Sequence, residues 1–402
     1  VPSRGPWEYD TRTMTDRIPG HASAEGPVVL APPAPGETAA PTLGIATTLP
    51  LRREGREKLT GEAKYTDDLV FPGAWYGAAI RSTEAHARLL GLEQDPSFDW
   101  SKVVVMTAAD IPGDNVVSII IEDMPALAEG EITHHAQAVA LVAAPDKATL
   151  REAKKRIRLK TEPLPPVFDP EESEHQFAAY EVTKGDPEAA FDEAVLVVQG
   201  EYRVGHQEQL YIENQAMIAE PREDGGITIT GSMQCPYYVH SALKRALDLS
   251  DEQAVITQAE TGGGFGGKED YPSVVAIHAA LLAQRVGKPV RMIYDRHEDI
   301  ASTTKRHPAV VRYRSGVSAD GRLIAQDIEV VMDGGAYCTL SPVVLSRGVL
   351  HAGGPYECAN VHIRGRSMAT NTPPNGAFRG FGAPQVGFAH EIQLSRIAHE
   401  LG

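Results

Sequence analysis

Short apolar runs in the first part of the chain predict a mixture of strands and helices. Three runs have the length and apolar character of strands: residues 75–80, 102–106 and 136–143. Residues 147–157 instead carry apolar side chains, ending at Ile157, on one face and basic side chains elsewhere, which predicts an amphipathic helix. A proline-rich break follows at residues 162–166. Strands and helices mixed in this order predict an α+β domain over residues 51–170.

Residues 171–402 continue with further strand-like and helix-like segments. The strand-like segments are residues 195–202, 226–231, 254–258, 290–294, 310–314 and 323–332. The helix-like segments are residues 237–248, 271–285 and 389–401. Residues 250–253 have the spacing of a capping box but lead into a strand, so a turn also fits them.

The segment at residues 205–214 reads Gly-His-Gln-Glu-Gln-Leu-Tyr-Ile-Glu-Asn. Its residues alternate in character from Leu210 to Glu213, which predicts a half-buried strand. We therefore interpret Glu208 and Glu213 as structural carboxylates and do not expect either to act in catalysis.

Composition limits which partners and which cellular compartment we expect for the protein. With 38 basic and 54 acidic residues the net charge is −16, which argues against nucleic acid and anionic membranes as partners. No apolar run reaches the roughly 18 residues of a membrane span, and we recognise no signal peptide. Residues 1–50 are rich in Pro, Ala and Gly and predict a disordered tail or linker. Cys235, Cys338 and Cys358 are too few for an iron–sulfur cluster and predict reduced, buried thiols in a cytoplasmic protein.

The densest motif is Thr-Gly-Gly-Gly-Phe-Gly-Gly-Lys-Glu-Asp at residues 261–270. A predicted strand precedes it and a predicted helix follows, so the glycines form a strand-to-helix turn. Glycine permits positive φ and close approach to a ligand, and a helix start attracts an anionic group.

Three interpretations of this turn compete. Gly262, Gly264 and Gly267 satisfy the dinucleotide fingerprint of a NAD-dependent Rossmann dehydrogenase, but alternating strands and helices do not precede the turn. A Walker A loop is disfavoured because Glu269 stands where Ser or Thr must hold magnesium. The third interpretation is a purely structural turn that lets a helix pack on a sheet.

A second glycine loop, Asn-Gly-Ala-Phe-Arg-Gly-Phe-Gly-Ala-Pro-Gln, occupies residues 375–385. The two loops together closely resemble the molybdopterin-binding part of the xanthine dehydrogenase/aldehyde oxidase family, with xanthine dehydrogenase as the nearest member, and the resemblance extends over residues 51–402. It implies an α/β hammerhead domain at residues 51–170 and the first half of the molybdopterin-binding domain at residues 171–402.

The resemblance also implies the site residues. Those at the molybdenum–pyranopterin cofactor are Gln234, Gly264, Phe265, Gly266 and Arg379. Because the cofactor's dithiolene holds the metal, the resemblance implies no direct protein ligand, and Gln234, Phe265 and Arg379 contact the metal's oxygen ligands. A neutral amide donates a hydrogen bond without adding charge, and a guanidinium suits oxo or phosphate acceptors. Whether the pterin carries a cytosine dinucleotide is left open.

Three further positions face the substrate in the family: Glu269, Arg347 and Phe381. An acid and an arginine across a cleft can bind the polar edge of a heterocycle, and an aromatic ring can stack on it. The resemblance thus implies molybdenum-dependent hydroxylation of a purine or related N-heterocycle, with oxygen from water. Hydroxylation of another aromatic heterocycle or an aldehyde, by a split subunit like that of nicotinate dehydrogenase, is the alternative. A non-catalytic scaffold that lacks a complete site is a further alternative.

The resemblance implies that several parts lie outside this chain. The family's catalytic base is a glutamate in a later segment, so we expect a second molybdopterin-binding chain or a C-terminal half to provide it. Electrons are expected to leave through 2Fe-2S and FAD groups on partner chains or domains. We expect the companion to cover an apolar face of residues 389–401 that carries Ile392, Ile397 and Leu401.

Overall fold

The computed structural model describes residues 52–402, so the tail predicted at residues 1–50 lies outside the described residues. This part of the chain forms fifteen strands and eight α-helices. The strands are β1 (Trp75–Arg81), β2 (Ala87–Gln94), β3 (Val104–Thr107), β4 (Glu131–Ile132), β5 (Ala138–Ala144), β6 (Ile157–Pro163), β7 (Gln176–Lys184), β8 (Leu196–Val204), β9 (Ala216–Pro221), β10 (Ile227–Gly231), β11 (Ala254–Gln258), β12 (Val290–Ile293), β13 (Ala309–Val317), β14 (Leu323–Gly335) and β15 (Asn360–Ala369). The helices are α1 (Gly55–Thr60), α2 (Lys147–Lys155), α3 (Pro187–Asp192), α4 (Pro236–Leu247), α5 (Pro272–Val286), α6 (Arg296–Ser302), α7 (Ser341–Ala352) and α8 (Ala383–Leu401).

A seven-stranded mixed sheet joins the two predicted domains. Its order is β11-β10-β9-β12-β1-β5-β3. The pairs β10–β11 and β1–β12 are parallel and the other neighbours are antiparallel. Strands β1, β3 and β5 come from residues 51–170 and the other four from residues 171–402, so the two segments share one sheet.

Helix α5 lies at the centre of the largest core and follows the first glycine loop. It is apolar on nearly all sides, as expected for a helix that packs against protein all round. Apolar side chains from α4 and the seven-stranded sheet belong to the same core, among them Met217, Ile229, Leu243 and Met292. Gly287 ends the helix with a φ of 67°, a left-handed conformation that glycine adopts without strain. The glycine loop is therefore followed directly by a helix that is buried along most of its length.

The second half of the chain adds a five-stranded sheet of order β7-β15-β14-β13-β8. Helices α7 and α8 share its core, through Val344 and Leu345 of α7 and Val386 and Ala389 of α8. A third sheet, β4-β2-β6, lies in the first half, where α2 packs near β6. None of the helices in residues 52–402 is long and apolar enough to cross a membrane.

Most predicted elements are confirmed, with shifted ends. The strands predicted at residues 75–80 and 136–143 are β1 and β5, and β5 is buried along its whole length. The strand predicted at 102–106 begins two residues later, after a single 3₁₀ turn. Ile157 opens β6 instead of closing α2, yet it packs in the same core as Ala153. Residues 250–253 form a turn, in which the Ser250 N–H donates to Gln253 Oε1 at 3.1 Å.

The strand predicted at residues 210–213, within the segment 205–214, is wrong. This segment has no strand pairing, and Leu210 takes a φ of 50°. Tyr211 is fully buried, whereas Leu210 and Ile212 are 60% and 93% exposed. The Tyr211 hydroxyl donates to Asp299 Oδ1 at 2.6 Å, so a tertiary contact holds the polar-tipped ring inside and turns its apolar neighbours outward.

The interface predicted on residues 389–401 is also wrong in part. The helix begins earlier, at Ala383, and Ile397 is buried with Val198 and Val317 of the five-stranded sheet. Ile392 packs against the core of the same sheet, and Leu401 remains 44% exposed. The apolar face of α8 is therefore used within the chain, because the long strands β8 and β13 extend beneath it.

Candidate functional site

The first glycine loop connects β11 to α5 and approaches the second loop closely. Phe265 has a φ of 53° and a side chain that is 47% exposed, so it does not plug the core. Its carbonyl accepts a hydrogen bond from the Arg379 N–H at 2.9 Å. A Cβ on Gly266, whose φ is 102°, would lie 2.5 Å from the Ala377 carbonyl oxygen. This position therefore requires glycine, because the two loops are in backbone contact.

Gln234 lies between β10 and α4, at the strand end where the sequence predicted it. Its Oε1 accepts hydrogen bonds from the N–H groups of Gly266 (2.9 Å) and Lys268 (3.3 Å). Both partners are donors, so the orientation of the amide is determined and Nε2 points away from them. Within residues 52–402 this Nε2 has no hydrogen-bond partner.

A cleft of about 380 Å³ lies above these two loops. It is lined by Gln234, Phe265, Gly266, Glu269, Arg347, Phe378, Arg379, Gly380 and Phe381. Seven of the eight predicted site residues are in this lining. Gly264 lies beneath it, where a Cβ would come within 2.4 Å of Gln234 Oε1. The structure thus brings the predicted residues together, while their roles remain predictions.

The predicted substrate residues come from three elements. Glu269 ends the first loop, Arg347 is exposed on α7, and Phe381 lies in the second loop. The Arg347 guanidinium carbon lies 5.2 Å from the centre of the Phe381 ring. Burial raises the pKa of the Glu269 carboxyl, and the positive charge of Arg347 counteracts part of that rise. The cleft therefore combines a carboxyl that resists ionisation with a cation held over an aromatic ring.

Arg306 was missed by the sequence reasoning. Its Nη2 donates to the Arg379 carbonyl at 3.0 Å, and its guanidinium carbon lies 4.0 Å from the centre of the Phe378 ring. It therefore supports the second loop from below. The only sequence signal is the basic run Lys305-Arg306-His307 before β13, which is common in solvated segments.

The carboxylates interpreted as structural form ion pairs inside the protein. Glu208 Oε2 lies 2.8 Å from Lys305 Nζ, and Glu213 Oε2 lies 2.9 Å from Lys268 Nζ. Neither carboxylate is among the residues that line the cleft. The cysteines of the described part are free, and Cys235 is only half-buried, in contrast to the prediction.

The start of α5 disfavours a dinucleotide site. Asp270 is 1% exposed, and its Oδ1 accepts from the Tyr271 N–H at 2.9 Å, beside the first turn of the helix. A buried carboxyl beside the helix start disfavours the pyrophosphate that a Rossmann fold binds there. The sheet is also mixed rather than parallel.

Comparison with known families agrees with this geometry. The profile described as "Molybdopterin cofactor-binding domain" matches residues 168–402. The profile described as "Aldehyde oxidase and xanthine dehydrogenase, a/b hammerhead domain" matches residues 60–165. The chain belongs to the xanthine dehydrogenase/aldehyde oxidase family of molybdenum hydroxylases, as the paired glycine loops predicted.

Individual relatives differ in how much of their length the chain covers. The large molybdopterin subunit of nicotinate dehydrogenase from Eubacterium barkeri is 35% identical over 360 residues, which are 86% of this chain and 84% of that subunit. A probable xanthine dehydrogenase subunit from Bacillus subtilis (strain 168) is 35% identical over 365 residues, which are 88% of this chain and 49% of the relative. The chain thus spans about half the length of the Bacillus relative.

A solved structure gives the same fold. The aldehyde oxidoreductase from Desulfovibrio gigas superposes with a TM-score of 0.81 at 26% identity. The match covers 87% of this chain and 41% of the other. The hammerhead domain followed by a molybdopterin-binding domain, within an α+β fold, is thereby confirmed.

The residues around the cleft fit a molybdopterin cofactor. Gln234 offers a neutral amide donor, and the Phe265 N–H also has no partner among residues 52–402. The exposed Arg379 guanidinium adds a positively charged donor suited to oxo and phosphate groups. No cluster of His, Cys, Asp and Glu in the described residues could hold a metal directly. This donor set suits a group that carries its own metal ligands.

Proposed function

We propose that this chain forms the first part of the molybdopterin-binding unit of a molybdenum hydroxylase that acts on a purine or a related N-heterocycle. The observation that carries the proposal is the meeting of Glu269, Arg347 and Phe381 in the cleft that is also lined by Gln234, whose Nε2 has no partner among the described residues. Three contacts to one flat polar molecule are available beside the cofactor site. An aldehyde substrate would leave both charged side chains without a partner.

In this proposal the chain's own residues bind and orient the cofactor and the substrate. The cofactor, when bound, supplies the redox chemistry of hydroxylation, with oxygen from water. Gln234 and Arg379 hold the cofactor side of the cleft. Glu269 presents its carboxyl, whose pKa is raised by burial, to the polar edge of the ring. Arg347 stabilises negative charge that develops on the heterocycle, and Phe381 stacks on its face.

The base and the electron acceptors come from partners in this proposal. Glu269 is the only carboxylate among the described residues that line the cleft. Since it faces the substrate, the base is a glutamate on a second molybdopterin-binding chain or a C-terminal half. Iron–sulfur and FAD subunits or domains accept the electrons. Free cysteines suit a reducing compartment, so we propose the cytoplasm.

A nicotinate-like substrate is the second candidate. It is favoured by the Eubacterium barkeri subunit, most of whose length the chain covers. The exposed Arg347 guanidinium could bind a ring carboxylate in a bidentate manner.

The test is metal analysis and turnover of the chain purified together with its native partners. We expect molybdenum and iron, an absorption spectrum with flavin and iron–sulfur bands, and turnover of xanthine or hypoxanthine. Turnover of nicotinate alone would support the second candidate. A preparation that binds nicotinamide nucleotide at this cleft and holds no molybdenum would overturn both.

A further inference from the structure

Beneath the first glycine loop lies a buried ion pair that the catalytic proposal does not use. Lys268 is 0% exposed, and its Nζ donates to Glu213 Oε2 and to Ser232 Oγ, each at 2.9 Å. The same Nζ lies 4.8 Å from the centre of the Tyr211 ring. A lysine is almost never fully buried unless it is paired, so this arrangement is costly to build and specific in geometry.

The Glu213 carboxylate holds the loop at two points. Oε2 accepts from the Gly262 N–H at 2.7 Å in addition to the Lys268 ammonium. A Cβ on Gly262 would lie 2.5 Å from the Glu213 Cβ, so the loop backbone rests directly on this side chain. Burial opposes ionisation of Glu213, but the charge and hydrogen bonds of Lys268 and the Gly262 N–H lower its pKa below the usual value. The carboxylate therefore remains charged and links the beginning of the loop to its end.

The backbone of Lys268 is bonded in turn to Gln234. The Gln234 N–H donates to the Lys268 carbonyl at 2.7 Å. The Lys268 N–H donates back to Gln234 Oε1 at 3.3 Å. Because this second bond helps to determine the orientation of the amide, a displacement of Lys268 would change the direction in which Gln234 Nε2 points.

We propose that the Glu213–Lys268 ion pair is a positioning device that sets the orientation of the Gln234 amide toward the cofactor. The inference rests on the proposed function, since Gln234 matters only if a cofactor occupies the cleft. Neither side chain touches substrate, so both act through Gln234. Groups that orient the contacts of a metal site typically change metal affinity or activity by about 10–100-fold when they are replaced.

The experiment compares Glu213→Gln with Glu298→Gln in the complete enzyme with its partners. Glu298 is a matched control because it forms a similarly buried pair with Arg81, at 2.8 Å, that contacts neither glycine loop. The measurements are the melting temperature, the molybdenum content, the EPR spectrum of Mo(V), and kcat and KM. If the ion pair has only a structural role, Glu213→Gln should differ from the control in melting temperature and in none of the other measurements.

We expect both variants to lower the melting temperature, but only Glu213→Gln to alter the Mo(V) spectrum and to lower molybdenum content or kcat by about 10-fold or more, with KM little changed. Ser232→Ala removes one acceptor of Lys268 and provides a gentler second variant if Glu213→Gln does not fold. It should change the same spectrum to a smaller extent.

Unchanged spectra, molybdenum content and kcat in Glu213→Gln, or in Ser232→Ala when only that variant folds, would overturn the inference. The proposed function would then still stand, because the wild-type enzyme would hold molybdenum. A wild-type enzyme without molybdenum would instead overturn the proposed function itself.

Discussion

The guanidinium of Arg347 lies over the ring of Phe381, with 5.2 Å between its central carbon and the ring centre. The two residues belong to different elements, α7 and the second glycine loop, and β15 lies between them in the chain. A cation over an aromatic face is attracted to the ring's negative potential. This contact holds the arginine at the cleft although its side chain is exposed.

Replacing the charged substrate residues should reduce turnover but not cofactor content. Arg347→Met and Glu269→Ala should each lower kcat/KM for a purine by about 10²–10³, because a contact that binds the ring or stabilises developing charge is lost. Arg322→Met, on an exposed turn after β13, is the control and should be neutral. The measurement is steady-state kinetics with metal analysis. Wild-type rates in both site variants would exclude the purine assignment.

Gly266→Ala should separate the two glycine loops. The added Cβ would meet the Ala377 carbonyl at 2.5 Å and would occupy a φ of 102° that side chains rarely adopt. We expect a lower melting temperature and a loss of bound molybdenum. Gly387→Ala in α8 is the control, because its Cβ enters open space and should stabilise the helix by about 0.5–1 kcal/mol. Equal molybdenum content in the two variants would contradict the close approach of the loops.

Asp270→Asn should change how stability depends on pH. Burial raises the pKa of Asp270 to about 6, although hydrogen bonds from Thr304 and Tyr271 oppose the rise. Between the unfolded value of about 4 and the folded value, the folded state binds more protons, so the free energy of unfolding falls as pH rises. That loss is up to about 3 kcal/mol above pH 6, and the neutral Asn variant should avoid it.

The check is thermal unfolding of wild type and Asp270→Asn from pH 4 to pH 8. The melting-temperature advantage of the variant should be small at pH 4 and grow until about pH 6–7. Asp95→Asn should behave in the opposite way, since hydrogen bonds from Ser97 and Arg156 lower the pKa of Asp95 to about 2. That variant should lose stability at neutral pH and recover relative to wild type between about pH 4 and pH 2, so its unfolding is followed down to pH 2. A pH-independent difference for Asp270→Asn would show that its carboxyl is ionised throughout.

Ile397→Ala tests whether α8 packs within this chain. Removing a buried isoleucine leaves a cavity beside Val198 and Val317 and should cost about 2–5 kcal/mol of unfolding free energy. Leu401→Ala, at a 44% exposed position, should cost about 0.5 kcal/mol or less. Denaturant unfolding measures both. A negligible effect of Ile397→Ala would mean that this face is not buried by the five-stranded sheet.

Elements whose sequence pattern depends only on nearby residues were predictable from the sequence. The apolar run of β5 and the amphipathic pattern of α2 depend only on which side chains face the core, and both are present. The glycine density at residues 261–270 likewise indicated close backbone approach, which Gly264 and Gly266 confirm. Helix α7, which carries Arg347, was not predicted as a helix because the glycine at position 348 and the surrounding mixed pattern weaken the helical signal.

The sequence by itself therefore determined three things. These are the regular elements with strong periodicity, the two glycine loops and the chemical types of the residues beside the loops. The tertiary structure alone decided which partner each surface meets. Tyr211 is buried and Ile212 exposed because Asp299, from a distant helix, binds the tyrosine hydroxyl. The apolar face of α8 is covered by β8 and β13 of the same chain, and Arg306 reaches the second loop from a neighbouring segment. A local pattern predicts that a face will be buried. Long-range packing and hydrogen bonding decide which surface covers it.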